Sequence, residues 1–234
     1  MGADAHSSDA AQQRGRTADG AALGRAAHRR YARPVVFDDP WAERLLSPPL
    51  RWAVRLRPVW WLALRPGMRP FQNILAVALG SFRYAETQIE AAVARGVDQL
   101  LVVGAGLDSF ALRRADLAPK LRVFELDHPA TQALKRARIA RALPALPPHL
   151  ELVPIDFETT SIEAALAGSG FDPQRPAFAT WLNTTPYLTE DAIFATLDGL
   201  ARVLAPGSEL VFNYAVTPEH LEPADLATLR ELGN

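Results

Sequence analysis

Apolar residues in this chain occur in two rhythms. In the first, short runs stand almost unbroken: Gln99–Val103, Leu121–Leu126, Leu150–Pro154, Phe178–Leu182 and Ser208–Tyr214. Rich in Leu, Val and Phe, they have the pattern of strands buried on both faces, as in a parallel sheet. In the second, apolar positions recur every three or four residues, which predicts helices over Thr17–Tyr31, Asn73–Arg95, Phe110–Asp116, Ala130–Leu143, Ile162–Ala167 and Thr189–Leu204. From Gln99 onward strand and helix alternate. The expected core is therefore α/β, a Rossmann-like parallel sheet with right-handed connections and helices on both faces.

The ends of these segments carry their own signals. Pro34 stops the first helix, and Asp39 is placed to cap the next, with Pro40 at its first position. Gly96 stops the long helix before strand one. Between residues 47 and 70, prolines and Trp52, Trp60 and Trp61 predict short helices in an aromatic-rich cap. Residues 1–16 are polar and small, and are expected to be disordered. The expected organisation is a disordered 1–16, a helical cap with lead-in helix over 17–95, and an α/β core over 96–234.

Strand one runs into Gly104-Ala105-Gly106-Leu107-Asp108-Ser109, and a helix opens directly after it. Glycines at that junction let the backbone turn sharply and approach a ligand where a Cβ would collide. Strand, glycine turn and helix together are how α/β proteins hold nucleotide-like cofactors. Strand two ends in Phe124-Glu125-Leu126-Asp127-His128-Pro129, and alternation puts Glu125 and Asp127 on one face. Glu125 lies about 20 residues after Gly106, the distance at which an acid meets a ribose. Such a carboxylate would repel a ribose phosphate, which disfavours NADP. Strand three ends in Asp156-Phe157, where a carboxylate can accept from an adenine amino group and the next N–H can meet a ring nitrogen. Asp108 can bind cofactor or cap the following helix; Asp156 can likewise serve as a cap.

Composition removes several classes of function. The 234 residues carry 25 Lys and Arg against 26 Asp and Glu, a formal net charge of −1. That balance gives no reason to expect a nucleic-acid or acidic-membrane partner. Cysteine is absent, which excludes thiolate chemistry and cysteine zinc sites. Histidines 6, 28, 128, 149 and 220 lack ligand spacing, so no metal is expected. There is no P-loop and no Gly-x-Ser-x-Gly elbow. The most apolar stretch, Arg51–Leu64, is broken by arginines and Pro58, and residues 1–24 lack a signal core. A soluble cytoplasmic protein is the expectation.

In order and spacing, the motifs of this chain resemble one family: the leucine carboxyl methyltransferase-like O-methyltransferases that use S-adenosylmethionine (SAM), including its bacterial natural-product branch. The marks are Thr17-Ala18 with Arg25-Ala26, Phe37-Asp38-Asp39-Pro40-Trp41-Ala42, Arg83-Tyr84-Ala85-Glu86, the glycine turn, Phe124 to Pro129 with Lys135, Asp156-Phe157 and Tyr187-Leu188-Thr189. The resemblance implies a class I SAM-methyltransferase fold with SAM as cofactor. It implies that Gly104, Ala105 and Gly106 face the methionine part, that Asp127 (with Glu125 a second candidate) binds the ribose, and that Asp156 and Phe157 meet the adenine. Asp108 joins them as a cofactor candidate. Arg83 is the first choice to pair with the SAM carboxylate, and Arg25 the second.

Three departures from the family pattern stand out. Ser81 takes the place of an arginine common two positions before Arg83, and Leu182-Asn183 replaces an acid and glycine after strand four. Relatives also continue past strand five with a helix and an antiparallel strand pair, whereas this chain ends at Asn234, so the final pair is expected to be missing. The implied activity is methyl transfer to a carboxylate or hydroxyl of a small molecule. Tyr187, Trp181 and Asn183 are candidates to orient it, and aromatic residues between 41 and 71 to roof it. Two alternatives remain at this point: a non-catalytic SAM-fold protein serving in assembly, and a NAD-dependent oxidoreductase, for which Ser109 stands where the fingerprint wants a small residue such as glycine.

Overall fold

The computed structural model describes residues 3–58, 60, 69–214, 216, 218–220, 222, 223 and 226. Five parallel strands form the sheet: β1 (Gln99–Val103), β2 (Arg122–Asp127), β3 (Leu150–Pro154), β4 (Phe178–Trp181) and β5 (Glu209–Phe212), in the order β3-β2-β1-β4-β5. The unbroken apolar runs are explained by burial on both faces. Leu101, Val103, Phe124, Leu126 and Ala179 pack into one cluster, while Leu100, Val102, Val123, Leu152 and Phe178 pack into another. Period-two alternation thus feeds two cores from one sheet.

Preceding the sheet are α1 (Ala3–Tyr31), α2 (Ala42–Leu45), α3 (Pro48–Ala53) and α4 (Arg69–Ala94). Within and after it lie α5 (Phe110–Arg113), α6 (Pro129–Ile139), α7 (Ile162–Leu166) and α8 (Glu190–Val203). α7 and α8 cover one face, α4 the other. Asp39 caps as expected: its Oδ1 accepts from the N–H of Trp41 at 3.0 Å and of Ala42 at 2.9 Å. Helix α1 buries an alanine stripe, Ala18, Ala22, Ala26 and Ala27, against α2, α3 and α6.

Several boundaries differ from the sequence reading. α1 starts at Ala3, not Thr17, so helix extends into the segment expected to be disordered; its alanines and glutamines carry high helix propensity. The helix after β1 is α only to Arg113, followed by a 3-10 turn at Ala115–Leu117. β5 is shorter than expected, running only from Glu209 to Phe212. Of the cap tryptophans, Trp60 is buried and stacks on Tyr31 at 6.2 Å, whereas Trp52 is exposed. Trp61 lies outside the described residues. Among the described residues no helix is long and apolar enough to cross a membrane.

Candidate functional site

A cavity of about 650 Å³ opens at the carboxyl ends of β1 to β4. The floor is the turn after β1. There Gly104 and Gly106 adopt φ of 67° and 51°, which a side chain tolerates poorly. The N–H groups of Gly104 and Ala105 donate to the Leu126 carbonyl at 2.8 and 3.1 Å, which ties the turn to β2. A Cβ on Gly104 would lie 2.4 Å from Thr184 Oγ1, so the turn and the loop after β4 touch without room for one.

Asp127 sits at the tip of β2 with both oxygens addressed by backbone amides. One accepts from the Gly106 N–H and the other from the His128 N–H at 2.6 Å. Burial pushes its pKa up, and those two amides work against the rise. Asp156 follows β3, its Oδ1 accepting from the Glu158 N–H at 3.2 Å, with Phe157 beside it on the cavity wall. Asp108 accepts from the Phe110 N–H at 2.6 Å, just before the helix, and lines the cavity.

Of the sequence candidates, Gly104, Ala105, Gly106, Asp108, Asp127, Asp156, Phe157, Asn183 and Tyr187 share this cavity. Three do not. Glu125 is 1% exposed and turns inward, where its carboxylate pairs with the fully buried Lys135 of α6. Alternation correctly puts Glu125 and Asp127 on one face; two residues of strand length separate the interior from the tip. Trp181 is fully buried and stacks on Phe212 at 6.4 Å, on the core side of β4. Arg83 points outward from α4 and is exposed. Its neighbour Phe82 reaches the cavity instead, because successive helix residues diverge by about 100°.

The guanidinium on the cavity is Arg25, the second choice of the sequence reading. It is 4% exposed, donates from Nε to Asp39 Oδ2 at 2.8 Å and from Nη2 to the Leu107 carbonyl at 2.6 Å, and lies 5.2 Å from the Phe82 ring. Sequence reasoning missed Thr17, Ala18 and Ala21 of α1, Phe82 and Thr131. Only the first of these regions had a signal. The small residues of α1 let the helix lie close on the turn, with Ala18 Cβ 3.8 Å from where a Gly106 Cβ would stand.

At the mouth, Asn183 has a φ of 57°. Its N–H donates to Asn213 Oδ1 at 2.6 Å, and Asn213 Nδ2 donates to Asn183 Oδ1 at 2.9 Å and to Ser81 Oγ at 3.1 Å. Tyr187 is 65% exposed beside it. Among the charged residues of an otherwise mostly apolar and neutral lining, Asp108, Asp127, Asp156 and Glu158 are acidic and Arg25 is basic. Such a cavity suits a ligand with a cationic centre and a carboxylate tail. Among the described residues no group of acids and histidines could hold a metal ion.

A model of the leucine carboxyl methyltransferase family matches residues 18–201. YktD of Bacillus subtilis (strain 168), provisionally named an S-adenosyl-L-methionine-dependent methyltransferase, is 30% identical over 225 residues, covering 83% of this chain and 68% of YktD. Rv1896c of Mycobacterium tuberculosis (strain ATCC 25618 / H37Rv), named in the same way, is 38% identical over 119 residues. That alignment spans 50% of this chain and only 38% of the mycobacterial protein. The crystal structure of the S-adenosylmethionine-dependent methyltransferase SibL in its apo form overlaps 73% of this chain and 46% of its own, at 22% identity and a TM-score of 0.41, too low to carry an argument.

Proposed function

The chain belongs to the leucine carboxyl methyltransferase family, and from that premise we propose that it binds SAM in the cavity and transfers the methyl group to an oxygen, carboxylate or hydroxyl, of a small molecule. One observation carries this reading: the glycine turn, Asp127 and Asp156–Phe157 converge on a single cavity from three adjacent strand tips. Its volume of about 650 Å³ suits a cofactor with room for part of an acceptor.

The donor set fits the group. Asp127, oriented by two amides, retains lone pairs for ribose hydroxyls. Asp156 faces the place for an adenine amino group, with Ile155 and Phe157 as apolar neighbours of the ring. Arg25, rather than Arg83, is the cation within reach of an amino-acid carboxylate. SAM, when bound, brings both the methyl group and a cationic sulfur as leaving group. What remains for the protein is to hold an acceptor in line and exclude water. Asn183 and Tyr187, which line the cavity, are the candidates to orient that acceptor, and the four acids of the lining would favour the sulfonium charge. A carboxylate acceptor is ionised at neutral pH and needs no base.

The test is titration calorimetry with SAM and with its product S-adenosylhomocysteine, followed by screening of small acids and phenols for methyl transfer. Saturable one-site binding that Asp127→Ala abolishes is expected. No heat at millimolar cofactor would refute the proposal.

A further inference from the structure

Arg25 and Arg113 stand on either side of one buried carboxylate and one aromatic pair. Asp39, fully buried, receives Arg25 Nε at 2.8 Å on Oδ2 and has Arg113 Nε at 3.7 Å from Oδ1. Phe37 and Phe82 stack with centroids 5.5 Å apart; the Arg113 guanidinium lies 4.5 Å from the Phe37 ring and that of Arg25 5.2 Å from the Phe82 ring. Arg113 is anchored in turn by Glu86, at 3.0 Å. The chain Arg25–Asp39–Arg113–Glu86 thus alternates in sign, and all four side chains are 9% exposed or less.

Only one end of this chain reaches the candidate site. Arg25 lines the large cavity, whereas Asp39 and Glu86 do not. Two N–H groups of Arg25 are bonded to Asp39 and the Leu107 carbonyl. A guanidinium has about five such donors, so most of the fork is left for a ligand. Arginine side chains are rotamer-rich, and a fork held at Nε and one Nη has its plane set before a carboxylate arrives. Burial alone would raise the Asp39 pKa, but the charges of Arg25 and Arg113 with hydrogen bonds from Ser109 and Arg25 bring it below its ordinary value, so the anion persists.

We propose that Asp39 is a positioning residue that aims Arg25 at the carboxylate of the cofactor's amino-acid tail. This rests on the SAM reading above and goes beyond it, since it assigns a role to a residue outside the cavity.

Two probes separate a role in aiming from a role in folding: S-adenosylhomocysteine, which has the amino-acid tail, and 5′-methylthioadenosine, which lacks it. In the wild-type protein the first should bind at least about tenfold more tightly, the scale of a charge-assisted bidentate contact. In Asp39→Asn the capping oxygen can remain, but an amide replaces the anion facing Arg25. S-adenosylhomocysteine affinity should then fall about tenfold while methylthioadenosine changes by less than about twofold. Equal loss of both probes, or no loss, would overturn the proposal. Should Asp39→Asn fail to fold, the Arg25 Nε–H resonance of wild-type protein, assigned with Arg25→Lys, decides: it should move with S-adenosylhomocysteine and stay with methylthioadenosine. If the wild type binds both equally, Arg25 is not aimed at the tail and the inference falls while the cofactor reading stands. If it binds neither, both fall.

Discussion

The two ends of the cavity are built differently. At the β1–β3 end, the site is made of short sequence segments: a glycine turn anchored to the Leu126 carbonyl, and acids one strand tip apart. At the β4–β5 end the lining residue Asn183 is held from outside the cavity by distant residues, as Asn213 joins it to Ser81, 132 positions away in sequence from Asn213. Local construction makes the first end rigid and readable. The second depends on helices and strands meeting correctly, and that is where an acceptor site can vary while the cofactor site stays fixed. Variants at the first end should therefore disturb stability and cofactor together, and variants at the second should cost less stability and spare the cofactor.

The largest effect is expected at Lys135. Removing it leaves Glu125 buried without its counter-ion, so that it must take up a proton or stay charged and unpaired, and its other oxygen has no hydrogen-bond partner. Lys135→Met should cost about 3–5 kcal/mol in denaturant unfolding. The Glu125→Gln/Lys135→Met double variant should recover much of it. Burial, opposed by Lys135 and assisted by the charges of Asp108 and Asp127, moves the Glu125 pKa from 4.5 to about 7. A carboxyl whose folded pKa is raised stabilises the fold at low pH, and that contribution fades as pH rises through this window. Relative to wild type, Glu125→Gln should gain melting temperature between pH 4.5 and 7 and hold a constant gap above it. A gap independent of pH across the window would show that Glu125 does not titrate there.

Gly104→Ala comes next. The new methyl meets Thr184 at 2.4–3.0 Å on a residue with φ of 67°. Overpacking and backbone strain together predict a loss of about 2–4 kcal/mol. Combining it with Thr184→Ser should return little and with Thr184→Gly the steric part only, so the double-variant cycle separates packing from φ strain. A neutral Gly104→Ala would mean that the loop after β4 yields freely, and the contrast between the two ends would fail.

Asp127→Asn follows. Both carboxylate oxygens face amide donors, and an asparagine can satisfy only one of them. Cofactor affinity should fall by about 1.5–3 kcal/mol, between tenfold and a little over a hundredfold. Calorimetry with S-adenosylhomocysteine measures it.

This contrast also marks what sequence reading reaches. The five strands are legible because a short unbroken apolar run, bounded by turn residues, fits a strand buried on both faces and little else. Asp127 and Asp156 are legible because a strand tip follows directly from where the apolar run stops. Glu125 shows the limit: alternation gives its face, but depth along the strand depends on Lys135, which only packing of α6 brings near. Arg83 and Arg25 show another. Each stands on a helix at a motif, and which one meets the cavity is decided by the rotation of α4 and the docking of α1, neither of which is written locally. Trp181 fails for a similar reason, since alternation in β4 permits either face until α8 is placed.

The smallest effects test the β4–β5 end most directly. Asn213→Ala removes the side chain that accepts from the Asn183 N–H and donates to Asn183 and Ser81. Partly exposed hydrogen bonds of this kind contribute about 1 kcal/mol each at most, so stability should fall by about 1–2 kcal/mol. Tyr187→Phe, on a residue 65% exposed, should stay within about 0.5 kcal/mol. Neither should alter S-adenosylhomocysteine binding by more than about twofold, because the turn, Asp127 and Asp156 are held by backbone amides that these changes leave in place. Asn213→Ala should instead show itself in the Michaelis constant for the acceptor, as Asn183 leaves its left-handed conformation. If cofactor binding drops along with it, the two ends are one cooperative unit, joined through Thr184 and Gly104, and acceptor choice cannot drift independently of the cofactor site.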